Sequence, residues 1–142
     1  MLEQRLHTLT RRTPGPGFHD ISSEVDAWLS GEGALSGLLT VFIRHTSASL
    51  TIQESASPPV RRDLAEVLDR LAPRDRRYHH SIEGPDDMPA HIRSMLTDVS
   101  LSIPVLDGRM CLGTWQGLYL VEHRDRPHDR QVVLHFLGSL AR

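Results

Sequence analysis

The chain contains no lysine and no asparagine; all sixteen of its basic side chains are arginine. Without lysine there is no Schiff-base chemistry and no Walker-type phosphate loop. Without asparagine there is no glycosylation acceptor. Arginine alone is left to grip any anionic partner, which its planar fork does in bidentate fashion. The single cysteine, Cys111, cannot form an internal disulfide, and its place in an apolar run reads as a small core residue rather than a nucleophile. No charge of one sign dominates: the formal net charge is -2, with acids and bases interspersed, so no footprint for nucleic acid or an anionic membrane is expected. No apolar run is long enough to span a bilayer, and Met1 to Arg5 lacks a basic start followed by an apolar block. A cytoplasmic location is the expectation. GxGxxG, P-loop, internal repeats and low-complexity segments are also missing.

What remains fits one compact domain over residues 1–142. Leu2 to Thr10 partly alternates and runs into Arg11-Arg12-Thr13-Pro14-Gly15-Pro16-Gly17, which predicts a strand and then a loop. Ser22 or Ser23 caps a short helix to about Ser30, with Val25, Trp28 and Leu29 on one face and Gly31 as its stop. Leu38 to Ile43 and Ala48 to Gln53 read as strands. Ser57 and Pro58 open the clearest helix, whose Val60, Leu64, Val67, Leu68 and Leu71 predict packing on a sheet until Pro73 ends it. A second main helix runs from Asp87 to about Leu96, with Ile92, Met95 and Leu96 inward. Leu101, Ile103 and Val105 alternate before Asp107-Gly108, a hairpin signal, and Arg109 to Trp115 returns. Gln116 to Arg124 and Arg130 to Leu137 complete the strands. The sum is an α+β domain, two main helices against a largely antiparallel sheet.

Chemistry concentrates between Tyr78 and His91. This segment places three histidines, one glutamate and two aspartates around a Gly-Pro break that no regular element carries through. Histidines are the commonest neutral metal ligands, and carboxylates supply bases and hard-ion ligands. The plain alternative is a hydrated surface loop.

Several motifs occur together in order: His45-Thr46-Ser47-Ala48-Ser49-Leu50-Thr51-Ile52-Gln53-Glu54, Tyr78-His79-His80, Glu83-Gly84 with Asp86-Asp87-Met88-Pro89-Ala90-His91, and Leu112-Gly113-Thr114-Trp115-Gln116-Gly117 leading to Glu122 and Arg124. From about Leu2 to Gly138 the chain resembles the YjbQ-like proteins, also labelled secondary thiamine-phosphate synthase enzymes and long carried as uncharacterised. The resemblance implies a homotrimer whose antiparallel strands curl into a barrel-like core with the helices outside. It also implies a metal-bearing, anion-accepting cleft with His45, His80 and His91 as ligands. Zinc would take three such imidazoles and leave a position open, whereas magnesium would want carboxylates.

Around that cleft, Glu83, Asp86 and Asp87 are candidates for catalytic base or supporting roles, although Asp87 also suits a helix cap. Glu54 is a further candidate whose direction the strand alternation leaves open. His45 can instead bond its Thr46 and Ser47 neighbours, and those two can contact substrate. Trp115 and Gln116 form either a pocket wall or core. Arg124 and Arg130 either grip phosphate or make rim ion pairs. His79, His7, His19 and His128 read as surface residues and His135 as a sheet residue. The implied function is a metal-dependent enzyme of small phosphorylated metabolites, joining a pyrimidine diphosphate to a thiazole phosphate. A metal-dependent hydrolase and a non-catalytic trimeric anion-binding module use the same residues.

Overall fold

Alternation of buried and outward residues governs β8 (His128–Leu140), whose Arg130, Val132, Leu134, Phe136 and Gly138 all point inward. In this computed structural model, which describes residues 1–142, β8 lies between β1 (Glu3–Thr13) and β3 (Ala34–Ile43). Beyond β3 come β5 (Ser100–Leu106) and β6 (Arg109–Met110), giving a five-stranded sheet. A second sheet of three strands has β7 (Gln116–Glu122) between β2 (Gly17–Asp20) and β4 (Ala48–Glu54). Every strand pairing is antiparallel. One antiparallel bridge joins the sheets, Leu50 N–H to Asp98 O at 2.6 Å and Asp98 N–H to Leu50 O at 3.0 Å. The result is a half-barrel with three helices, α1 (Ser22–Gly31), α2 (Pro58–Leu71) and α3 (Asp87–Leu96). None of them is long and apolar enough to cross a membrane.

Inside the curve, Leu39, Val41 and Ile43 of β3 meet Val132, Leu134 and Phe136 of β8 and Leu50, Leu118 and Leu120 of the smaller sheet. Each such side chain contributes roughly 1.5–3 kcal/mol by leaving water. Ile21, Val25 and Leu29 seal one end from α1, as the sequence predicts, with Trp28 half-buried beside them. Asp107 and Gly108 both have positive φ (52° and 76°), the turn that their hairpin signal demands.

Three expectations about packing fail. The stripe on α2 buries none of its residues fully, and Val67 and Leu71 stay 47% and 58% exposed. On α3 the burial is reversed: Met95 and Leu96 are exposed, while Asp87, Ala90, Arg93 and Ser94 face inward. That reversal has a cause, since Asp87 is held on the inner side by His80, His91 and Arg124, and Arg93 pairs with Asp69 of α2. The strand after the hairpin is only two residues long, which leaves Cys111 exposed rather than in the core and Trp115 63% exposed rather than packed.

Backbones approach closely where β3 crosses β8. A Cβ on Gly138 would lie 2.2 Å from Ser36 O, and one on Gly37 would lie 2.3 Å from Leu137 O. Gly138→Ala is therefore expected to lose about 1–3 kcal/mol in denaturant unfolding. Gly31→Ala, whose Cβ meets nothing within 4 Å, should stay within about 1 kcal/mol of the parent. Equal stabilities for the two variants would contradict this account of the crossing.

Candidate functional site

The first turn of α3 organises the site. Asp86 occupies the N-cap position without making a side-chain cap bond, and Asp87 turns its buried carboxylate toward two rings instead of capping the helix. One turn on, His91 presents Nε2 to Asp87 Oδ2 at 3.1 Å, the contact expected of an i, i+4 pair. His80 reaches the same oxygen at 2.7 Å from the preceding loop. The imidazole centroids lie 5.5 Å apart, and the three ligand atoms all fall within 4.8 Å of one another.

Protons are constrained here. His91 Nδ1 lies 2.8 Å from the Thr46 carbonyl, which only accepts, so Nδ1 carries a hydrogen. In the neutral ring Nε2 is then a lone pair facing a carboxylate oxygen. Two acceptors at 3.1 Å repel unless a second ring proton or a metal ion sits between them. An N–H donated to a backbone carbonyl is also the usual support of a metal-binding histidine.

Arg124 locks the other side. Its Nη1 donates to Asp87 Oδ1 (2.8 Å), its Nε to Asp86 Oδ2 (2.9 Å) and its Nη2 to the Glu83 carbonyl (2.9 Å), while Asp125 N–H donates to Asp86 Oδ2 (2.9 Å). Burial alone would raise both carboxyls. For Asp87, His80, His91 and Arg124 reverse this, and for Asp86, Arg124 and the Asp125 N–H do, so both carboxyls sit below their ordinary range. Beside His80 opens a cavity of about 400 Å³ lined by Arg74, Arg76, Arg77 and Tyr78. Arg74 pairs with Asp125, Arg76 sits 5.7 Å from the centre of the Tyr78 ring, and Arg77 has no ion-pair partner.

The remaining candidates divide. His45 precedes Thr46, yet its nitrogens are not among the converging atoms: Nε2 accepts the Gln131 N–H at 2.8 Å, and Nδ1 lies 3.4 Å from Arg130 Nη1. Burial first, then Arg130, pushes His45 below its ordinary value. Arg130 is buried and forks onto Glu122 (Nε to Oε1 2.8 Å, Nη2 to Oε2 2.6 Å), with Ser47 Oγ accepting at 3.0 Å. Neither Arg124 nor Arg130 thus has a free fork for phosphate. Glu83 is exposed with no partner for its carboxylate. Glu54 accepts the Ser57 N–H at the entrance of α2, and Gln116 Oε1 closes its own loop on Gly113 N–H. Exposed Trp115 uses its carbonyl to hold Ser55.

Sequence reasoning missed His123. It is buried, its Nε2 lies 2.8 Å from Ser49 Oγ, and burial, then Arg93, lowers it to about 4. The available signal was its place at the end of the apolar run Leu118 to Val121. The arginines before Tyr78 were also missed, although their crowding next to the histidine loop was visible.

His123 generates a pH prediction. Unfolded it titrates near 6.5 and folded near 4, so between these values the unfolded chain binds the extra proton and stability falls as pH drops. The loss is on the order of 3 kcal/mol across that window. His45 acts in the same direction, whereas Asp86, Asp87 and Glu122, being lowered, hold their contribution until more acid pH. Denaturant midpoints of His123→Gln should accordingly fall less than those of the parent between pH 6.5 and 4. Parallel curves would refute the assignment.

Comparison with known proteins places this geometry in context. Residues 7–139 match the family model described as UPF0047 protein YjbQ-like. A UPF0047 protein of Synechocystis sp. is 52% identical over 138 residues, covering 96% of this chain and 94% of its own. The UPF0047 protein YjbQ of Salmonella typhimurium is 42% identical, covering 98% and 100%. The crystal structure of a conserved hypothetical protein from Thermus thermophilus aligns with TM-score 0.81 at 38% identity over 95% of this chain and 99% of its own. The chain therefore belongs to the YjbQ-like UPF0047 family.

Proposed function

We propose that this protein is a divalent-metal-dependent enzyme acting on a small phosphorylated compound, with His80, Asp87 and His91 as metal ligands. The observation that carries this reading is the convergence of His80 Nε2, Asp87 Oδ2 and His91 Nε2, with the His91 ring oriented by its Nδ1–H on the Thr46 carbonyl. Two imidazoles and one carboxylate suit zinc and leave a coordination position open. Magnesium, which prefers oxygen ligands, fits this set less well. A bound cation would polarise a phosphate oxygen and take up charge as a phosphorylated group departs. In this reading Arg76 and Arg77, which line the cavity beside His80, would hold the phosphate in place of the already paired Arg124 and Arg130.

Among reactions, transfer is favoured over hydrolysis. Both oxygens of Asp87 are engaged, Asp86 is tied to Arg124 and Asp125, and both carboxylates are held ionised by their partners. A general base with a raised affinity for protons is what a hydrolase would want, and neither aspartate supplies one. Thiamine-phosphate formation needs no such base in its bond-making step: the thiazole nitrogen attacks the pyrimidine methylene carbon, the C–O bond breaks and diphosphate leaves with the electron pair. Alignment and stabilisation of the polyanion do most of the work.

A homotrimer belongs to the same proposal. Leu38, Phe42, Met95, Leu96 and Val99 leave apolar surface exposed on the outer side of β3 and around α3, more than a lone domain gains by showing to water. A joining subunit would cover that surface and can bring further residues to the cleft.

Purified protein is expected to contain close to one zinc per chain. His80→Ala, His91→Ala and Asp87→Asn should each weaken metal binding by more than roughly a hundredfold. With pyrimidine diphosphate and thiazole phosphate supplied, the parent should release diphosphate and the His80→Ala variant should not. Metal binding without turnover on these substrates would leave a binding module; turnover on simple phosphoesters instead would favour the hydrolase. Sedimentation should show a trimer that Phe42→Glu shifts toward monomer, and a monomeric parent would remove the assembly from the proposal.

A further inference from the structure

A second cavity, of about 300 Å³, lies away from the paired histidines, between β2, α2 and the end of β7. Phe18, Leu68 and Val121 form apolar parts of its wall, and Arg74, Arg93 and His123 bring nitrogens to it. Arg93 is the anomaly. Only 9% of its side chain is exposed, and its Nε is the one fully enclosed side-chain polar atom in the chain without a hydrogen-bond partner. Its Nη2 donates to Asp69 Oδ1 at 2.7 Å and reaches the Ala72 carbonyl at 3.5 Å, while Nη1 bonds to nothing in the chain.

The charges at this cavity do not cancel. Asp69 is 68% exposed, so water screens the carboxylate far more than it screens the enclosed guanidinium. Glu122, the other acid on the wall, is already forked by Arg130. His123 adds a neutral partner: Thr97 Oγ1, whose single proton goes to the Arg93 carbonyl at 2.8 Å, lies 2.5 Å from Ser49 Oγ, Ser49 lies 2.8 Å from His123 Nε2, and Nδ1 has no partner in the chain. Ser49 donates its own proton to Thr97 Oγ1 and accepts from His123 Nε2–H, which leaves Nδ1 as an acceptor facing the cavity.

We propose that this cavity binds a small organic monocarboxylate, its oxygens taken by the Arg93 guanidinium and its short apolar body lying against Phe18, Leu68 and Val121. A carboxylate matches the small number of free donors. A phosphate would bring more oxygens than the site has donors and would press the surplus against apolar walls, where unpaired oxygens are costly. The volume holds about ten waters' worth of space, enough for a short-chain acid and too little for a nucleotide. None of His80, Asp87 and His91 lines this cavity, although Arg74 stands in its wall and in that of the cavity beside His80.

Sodium butyrate, inorganic phosphate and sodium chloride at matched ionic strength are the probes, read by calorimetry and by the Arg93 Nε–H resonance in ¹⁵N NMR. Butyrate should saturate with Kd in the millimolar range, as expected for about six non-hydrogen atoms, and should move the Arg93 signal. Ala65→Phe, which fills the cavity from half-buried α2, should weaken butyrate at least tenfold, and Gly31→Ala, remote from the cavity, should leave it unchanged. Arg93→Gln should abolish binding; because that variant also loses the Asp69 pair and can misfold, Ala65→Phe carries the decision. Failure of butyrate to saturate, equal binding by Ala65→Phe, a still Arg93 resonance, or preference for phosphate would each overturn the proposal.

Discussion

Asp87 is the carboxylate on which the site depends. Buried at the start of α3, it accepts from Arg124 through one oxygen and faces His80 and His91 with the other. A lone ionised carboxylate in that position would be strongly disfavoured, and the surrounding arginine and imidazoles reverse the penalty. The same contacts tie three separate parts of the chain together: the loop carrying His80, the helix carrying His91, and the segment after β7 carrying Arg124. Removal of one partner would leave charge buried without compensation, which is why these residues act as a unit rather than as separate pairs.

That arrangement also explains why α3 is built the wrong way round by the usual rule. Helices normally turn apolar residues inward. Here Asp87 and Arg93 lie inward, Asp87 among His80, His91 and Arg124 and Arg93 paired only with the exposed Asp69, and Met95 and Leu96 are left outside. Two cavities border this polar surface, one beside His80 and one over Arg93 and His123, with Arg74 in the wall of both. The β-sheets supply the rigidity for both: β7 ends in Glu122, and His123 and Arg124 follow directly.

Strand periods were plain in the sequence, because a half-buried strand writes its orientation every second residue, as β8 and β5 do. Helix positions were legible too, through Pro58, Gly31 and the apolar spacing of α2. What the helices face was not, since periodicity cannot tell an inner apolar stripe from one left exposed, as Val67, Leu71 and Met95 are. At the site, the dense loop and the His91 helix drew attention correctly to one small region, and the structure brings His80, Asp87 and His91 together there. It does not bring His45 into that set, because the Gln131 N–H and Arg130 meet its ring. Pairing of Arg124 with Asp86 and Asp87, of Arg130 with Glu122, and the burial of His123 are long-range facts that local spacing does not encode.

The central claim is that one divalent cation is held jointly by His80, Asp87 and His91. X-ray absorption at the zinc edge of zinc-loaded protein, together with anomalous scattering from its crystals, tests this most directly. The account predicts one ion per chain with two imidazole nitrogens and one carboxylate oxygen at about 2.0–2.2 Å. An ion bound elsewhere, or zinc-loaded crystals with no anomalous peak between these three side chains, would contradict it.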